Sequence, residues 1–245
     1  MKQFEEIVAE TKKYRNKKGI IFKLESLFKG IEIKDKKILD IGGGDGLMSF
    51  WMSHKGADVY CLEPDSNGSA DVDLTDYHYL EEETGLKINL IKKTFQDFNT
   101  QDQFDLILIH NTINHLNELA CERLDYDQES FHTYEEYFHK LYTLLKKNGM
   151  LIISDCSRKN FWYNIHQTNP FIKNIEWEKH QAPGLWRVIA EDANFKCEKL
   201  TWSTFNRFGH IGKILLGNAL TAYFLSSHFN LYLKKLNSGN PGTDN

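Results

Sequence analysis

Lys37-Ile38-Leu39-Asp40-Ile41-Gly42-Gly43-Gly44-Asp45-Gly46 is the stretch that decides how the rest of the chain is read. Its first half is a short apolar run and reads as a buried strand. The glycines then lead into a helix over Leu47 to His54. A strand that runs through glycines into a helix lays bare backbone amides beside a ligand, because glycine reaches positive φ and carries no Cβ to hold that ligand away. The dinucleotide fingerprint G-x-G-x-x-G is a poor match. Starting from Gly42, its third glycine position holds Leu47; starting from Gly43, its second holds Asp45.

Outward from this loop, strand and helix patterns alternate, which points to a parallel α/β sheet. Before it, residues 3–14 and 20–29 read as helices, the second with Ile20, Ile21, Leu24, Leu27 and Phe28 on one side. After it come a strand at Asp58 to Glu63, a helix near Asp76 to Glu83 and a strand at Ile88 to Lys92. Phe104 to His110 is a strongly apolar strand. Tyr134 to Lys147 is an amphipathic helix that the pair Asn148-Gly149 should stop. Met150 to Ser154 is the fifth strand, Pro183 to Asn194 a helix and Lys196 to Thr204 a strand. His228 to Leu233 alternates polar and apolar residues, as a half-buried antiparallel strand does. Leu116 to Phe131 and Cys156 to Ala182 fall outside this rhythm, and insertions after strand C-termini are where α/β sheets build binding sites.

The 245 residues carry 41 % hydrophobic and 26 % charged residues, the balance of a soluble globular chain. One domain is expected over 1–236, with a helical N-terminal extension at 1–36, a lid-like insertion at 157–182 and a flexible tail at 237–245. The net charge of −4 argues against a dedicated nucleic-acid binder. Residues 1–37 nevertheless hold 11 Lys/Arg against 6 Asp/Glu, with a basic run from Lys12 to Lys18 that reads best as a solvated face. Cys61, Cys121, Cys156 and Cys197 are widely spaced and make no CxxC pair, so a reduced, cytoplasmic protein is expected. The apolar stretch near the C-terminus is broken by Asn218, Thr221 and Ser226, which speaks against a membrane span.

The loop fits D-x-G-x-G-x-G, and in this it resembles the first motif of the class I methyltransferases that use S-adenosylmethionine (SAM). Further marks follow in the same order over roughly residues 36–156. Glu63, at the end of the second strand, resembles the family acid that accepts hydrogen bonds from both ribose hydroxyls of SAM. Asp97, in Gln96-Asp97-Phe98, matches the acid that commonly contacts the adenine amino group. Phe104 to Asn111 resembles the fourth motif, and Leu144 to Ile153 the helix–Gly–strand unit that closes the core. The resemblance implies a Rossmann-like sheet of seven mostly parallel strands, helices on both faces and an antiparallel last strand. It implies SAM as cofactor, held by Asp40, Gly42, Gly44, Gly46, Glu63, Asp97, Phe98, His110 and Asn111.

Methyl transfer from a sulfonium is an in-line displacement on an already activated donor, so the protein chiefly aligns the reactants and excludes water. A hydroxyl acceptor also needs a base, and histidine suits that work near neutral pH. His115 leaves the C-terminal end of the fourth strand and is the first candidate; His180, in the insertion, is the second. Some quinone O-methyltransferases resemble this stretch but carry acids that bind a divalent ion. Asn111 and Asn114 stand at those positions here, and neutral amides replace such ligands poorly, so no metal is expected. The acceptor is read as a small molecule, more readily through oxygen than nitrogen. Three alternatives are a SAM-binding protein without catalysis, an RNA methyltransferase guided by the basic N-terminal run, and a nicotinamide-dependent oxidoreductase. Ser154-Asp155-Cys156-Ser157 lacks a Gly-x-Ser-x-Gly elbow, and none of the 10 histidines makes an HExxH set, so hydrolytic chemistry finds no support.

Overall fold

The structure is a computed structural model that describes residues 4–10, 16–64, 75–203 and 209–236. In chain order the elements begin α1 (Phe4–Glu10), α2 (Lys17–Leu27), β1 (Lys37–Ile41), α3 (Leu47–His54), β2 (Asp58–Leu62), α4 (Thr75–Thr84), β3 (Asn89–Ile91) and β4 (Phe104–His110). They continue as α5 (Glu118–Arg123), α6 (Gln128–Leu144), β5 (Leu145–Cys156), α7 (Phe161–Asn164), α8 (Pro183–Asp192), β6 (Phe195–Trp202), α9 (Gly209–Leu216), α10 (Ala219–Phe224) and β7 (His228–Lys235).

The seven strands form one sheet in the order β3-β2-β1-β4-β5-β7-β6. β7 runs antiparallel to both of its neighbours, and the remaining pairs are parallel. This is the Rossmann-like sheet that the sequence implies. β4 explains why helices must cover both faces: Ile107 and Ile109 enter one buried cluster with Tyr134, Phe138 and Trp186, while Leu106 and Leu108 enter the other with Leu24 and Phe50. A strand that is apolar on both sides is stable only when sandwiched. The strand order reverses between β1 and β4, and the crevice above such a reversal is where open α/β sheets take ligands.

Three local readings change. α6 begins earlier and ends earlier than its apolar pattern indicates. Asp127 caps it, accepting from the Ser130 backbone N–H at 2.8 Å and hydroxyl at 2.6 Å. Leu145 already pairs with Phe104 in the sheet, and Asn148-Gly149 serves an irregular turn inside β5, with Asn148 at φ 61. A Cβ on Gly149 would stand 2.9 Å from the Lys146 carbonyl oxygen, so the glycine belongs to that turn. Leu116 to Phe131 starts at the last residue of a 3-10 turn (Ile113–Leu116) and holds α5 and the first turn of α6. The broken apolar stretch near the C-terminus forms α9 and α10, and no described helix is long and apolar enough to cross a membrane.

Residues 157–182 pack against α10: the Trp162 indole N–H donates to the Phe224 carbonyl at 2.7 Å and the Asn169 amide to that of Leu225 at 2.9 Å. Trp186 is fully buried core. Of the basic run, Lys17 and Lys18 are exposed in the first turn of α2, whereas Lys12, Lys13 and Arg15, like the tail 237–245, lie outside the described residues.

Candidate active site

A cavity of about 950 Å³ opens at the C-terminal ends of β1, β2 and β4. Its floor is the glycine loop, its far wall the segments after β3 and β4, and its roof the α2 residues Ile20, Lys23 and Leu24. The glycines of the loop differ in what they do. At Gly43 an added Cβ would collide with the Cys61 sulfur, at Gly42 with the Thr112 side chain, and at Gly46 it would lie 2.7 Å from the Tyr77 ring. Those three permit close packing. Gly44, at φ +55, has nothing within 4 Å of where its Cβ would stand. Its missing side chain leaves room in the cavity itself.

Two carboxylates brace the loop. Glu63 is 9 % exposed, and its Oε2 accepts the Gly44 backbone N–H at 2.8 Å. Burial pushes its carboxyl above the usual range; the Gly44 N–H opposes this, and the Asp45 carboxylate adds to it. Asp40 is 1 % exposed and accepts the Ser49 hydroxyl at 2.7 Å, tying the end of β1 to α3. Burial pushes Asp40 up to about 7, against the Ser49 bond.

At the tip of β4 the chain turns sharply at Asn111, whose φ is 52. Its backbone N–H donates to the Ser154 carbonyl at 2.7 Å, and its side-chain oxygen lies 3.1 Å from His228 Nε2. Burial, reinforced by the Lys23 charge, drives His110 well below and His228 down to about 3, so both rings are neutral. His228 therefore donates Nε2–H to Asn111, which leaves its Nδ1 buried without a hydrogen-bond partner. Thr112 follows, its hydroxyl 3.0 Å from the His110 carbonyl and 3.3 Å from that of Gly42. His115 also lines the cavity, with Nδ1 2.7 Å from Glu118 Oε1. Glu118 in turn pairs with Lys179 at 2.9 Å, and Lys179 chiefly, with His115 second, holds that carboxyl low.

The cavity thus gathers Asp40, Gly42, Gly44, Glu63, His110, Asn111 and His115. Gly46, Asp97, Phe98 and His180 do not line it. Asp97 is turned onto the Thr94 hydroxyl at 2.7 Å, Phe98 is buried in the core, and Gln96 lies at the wall instead. His180 points Nδ1 at the fully buried Asp155, 3.1 Å away. Sequence reading missed Lys23, Gln96, Thr112 and His228. Lys23 carried a usable signal, since it falls between Ile20, Leu24 and Leu27 on the apolar side of α2, where a charge is out of place. His228 carried none, being paired to β5 across 72 residues by its register with Cys156.

A family model described as a methyltransferase domain matches residues 12–200. The chain belongs to that family. It is a SAM-dependent methyltransferase. The methyltransferase is 25 % identical over 200 residues to a ubiquinone biosynthesis O-methyltransferase of Pelagibacter ubique (strain HTCC1062), covering 79 % of this chain and 74 % of that one. Among solved structures, a SAM-dependent methyltransferase from Aquifex aeolicus matches with a TM-score of 0.60 at 16 % identity, covering 96 % of this chain and 100 % of the other. A 1,6-didemethyltoxoflavin-N1-methyltransferase of Burkholderia thailandensis, solved with its substrate and S-adenosylhomocysteine, matches with a TM-score of 0.53 at 14 % identity over 91 % and 78 %. These two show the shared fold. Among the described residues of the methyltransferase, no three His, Cys, Asp or Glu side chains gather as ligands of a metal ion would.

Proposed function

We propose that the 950 Å³ cavity takes SAM over the glycine loop and a small-molecule hydroxyl acceptor beyond it, toward the tips of β4 and β5. The observation that carries this reading is the clear space above Gly44 beside a Glu63 carboxylate already fixed by that glycine's N–H. A side chain at position 44 would fill the cradle, and a clamped carboxylate is a ready acceptor for a pair of sugar hydroxyls. The residues present therefore fit the cofactor. Glu63 would hold the ribose, Gly42 to Gly44 the backbone-facing edge, and Thr94 to Gln96 the base; Asp97 and Phe98 would support that wall from behind. Asp40, its carboxylate committed to Ser49, keeps the loop in shape, and Gly46 lets α3 pack against Tyr77.

SAM supplies a methyl group already activated by its sulfonium. What remains for the chain is to align an acceptor, exclude water and take a proton from a hydroxyl. His115 is the base in this reading: donation of Nδ1–H to Glu118 leaves the proton-accepting lone pair on Nε2 and favours the imidazolium that forms. His180 is instead a positioning residue that fixes the insertion on Asp155. The Pelagibacter ubique relative is an O-methyltransferase of ubiquinone biosynthesis, which supports an oxygen nucleophile; a ubiquinone precursor is one such acceptor. Four free thiols fit a reducing, cytoplasmic setting. The test is incubation with isotopically labelled SAM and a panel of small hydroxyl and amine compounds, read by mass. Label on a hydroxyl compound is expected. Binding of SAM with label appearing only on amines, or only on added RNA, would replace the acceptor assignment.

A further inference from the structure

The charges around the cavity are sorted by side. The acids Asp40, Asp45 and Glu63 all lie at the β1–β2 end, and among the described residues none lines the opposite end. There Lys23 reaches in from α2, within electrostatic range of His110 at the tip of β4, Cys156 at the end of β5 and His228 at the start of β7. Lys23 also lines a second, smaller cavity of about 30 Å³, which it shares with Lys213 of α9. Both lysines are half-buried, and among the described residues neither has a hydrogen-bond or ion-pair partner for its ammonium group. Burial lowers both, and at Lys23 the Asp45 carboxylate offsets this only in part. His110 and His228, which sense Lys23, are neutral rings and supply no negative charge to balance it.

A half-buried ammonium without a partner is costly to hold beside a site that receives a sulfonium. An anion seated between the two positive groups removes that cost. We propose that Lys23, backed by Lys213, is the specificity-determining residue for an acceptor that carries a carboxylate or comparable fixed negative charge, held at the β5–β7 end with its hydroxyl toward the glycine loop. This rests on the cofactor reading above. The company of Lys23 supports an acceptor assignment, because the proposed cofactor residues come from the ends of β1 and β2 and the segment after β3, whereas Lys23 acts, besides Asp45, on His110 of β4, Cys156 of β5 and His228 of β7.

The experiment is calorimetric titration of the full-length chain, saturated with S-adenosylhomocysteine, with hydroxy acids each matched by its neutral amide, such as 4-hydroxybenzoate against 4-hydroxybenzamide and lactate against lactamide. At least one acid is expected to bind tenfold or more tightly than its amide. Lys23→Met should abolish that preference, Lys23→Arg should keep most of it, and Lys17→Met, which removes an exposed charge in the first turn of the same helix, should leave it intact. S-adenosylhomocysteine affinity should stay within twofold of wild type in Lys23→Met, with unfolding midpoints confirming that each variant is folded. No acid preferred over its amide, or a preference that survives Lys23→Met, overturns the proposal. A large loss of S-adenosylhomocysteine affinity in Lys23→Met also overturns it, by giving the lysine to the cofactor's own carboxylate. A wild-type chain that binds neither SAM nor its demethylated product fails at the earlier step, the cofactor reading.

Discussion

Substituting Gly44 by alanine separates a binding glycine from its packing neighbours. At φ +55 the residue sits in the left-handed region, where a Cβ costs about 1–2 kcal/mol in conformation, offset by about 0.4–1 kcal/mol from a stiffer unfolded chain. Nothing lies within 4 Å of the added methyl, so no packing penalty joins these terms, and the fold should lose about 0–1.6 kcal/mol. The methyl does enter the space proposed for SAM. Overfilling a close-packed contact costs about 1–3 kcal/mol, which corresponds to roughly a ten- to hundredfold rise in Kd. Gly43→Ala is the matched control. Its Cβ meets the Cys61 sulfur behind the loop, so about 1–3 kcal/mol should come off stability, and Cys61→Ala in the same chain should restore part of it. Urea unfolding reads the stability and titration calorimetry with SAM reads the affinity. A Gly44→Ala protein that is folded and binds SAM within twofold of wild type would refute the placement of the cofactor over this glycine.

Glu63→Ala should weaken SAM about ten- to hundredfold through loss of a charge-assisted pair of hydrogen bonds, and unchanged affinity in calorimetry would remove Glu63 from the site. Asp40 should give a pH signature. Raised from an ordinary value near ~3.9 to about 7, it keeps its proton in the folded chain over a range where the unfolded chain has released it, so wild type loses stability as pH rises from about 4 to about 7. Asp40→Asn should lack that slope and gain on wild type between pH 5 and pH 8; parallel urea stabilities at the two pH values would contradict the burial argument. His115→Ala should lower turnover by about 10²–10⁴ with SAM affinity unchanged, as expected for loss of a base. His180→Ala should act on the fold instead, costing about 1–3 kcal/mol by leaving the buried Asp155 with only the Cys156 backbone N–H, and a specific loss of kcat at full stability would return His180 to the chemistry.

Much of the architecture could be read from the chain because its signals are local. Leu39 and Ile41 with the glycines after them, the Glu63 that ends β2, and the doubly apolar run of β4 each announce themselves within about ten residues. Their order alone gives the α/β class and the glycine-loop end of the cavity. The α6–β5 boundary was not legible in this way. Lys146 to Gly149 continues an amphipathic pattern and ends like a helix, yet Leu145 gains more as a sheet partner of Phe104, and tertiary pairing overrides local propensity. Asp97, Phe98 and His180 fit a linear pattern, whereas their side chains are spent on Thr94, the core and Asp155.

The opposite end of the cavity was decided only in three dimensions. Lys23, His110, Cys156 and His228 come from four separate elements, and only the reversal of strand order after β3 and the antiparallel return of β7 bring them to one rim. Spacing along a chain records which neighbours a residue has within a turn or a strand. The electrostatic company of a buried lysine depends on which strands close over it, and that follows from packing the whole sheet.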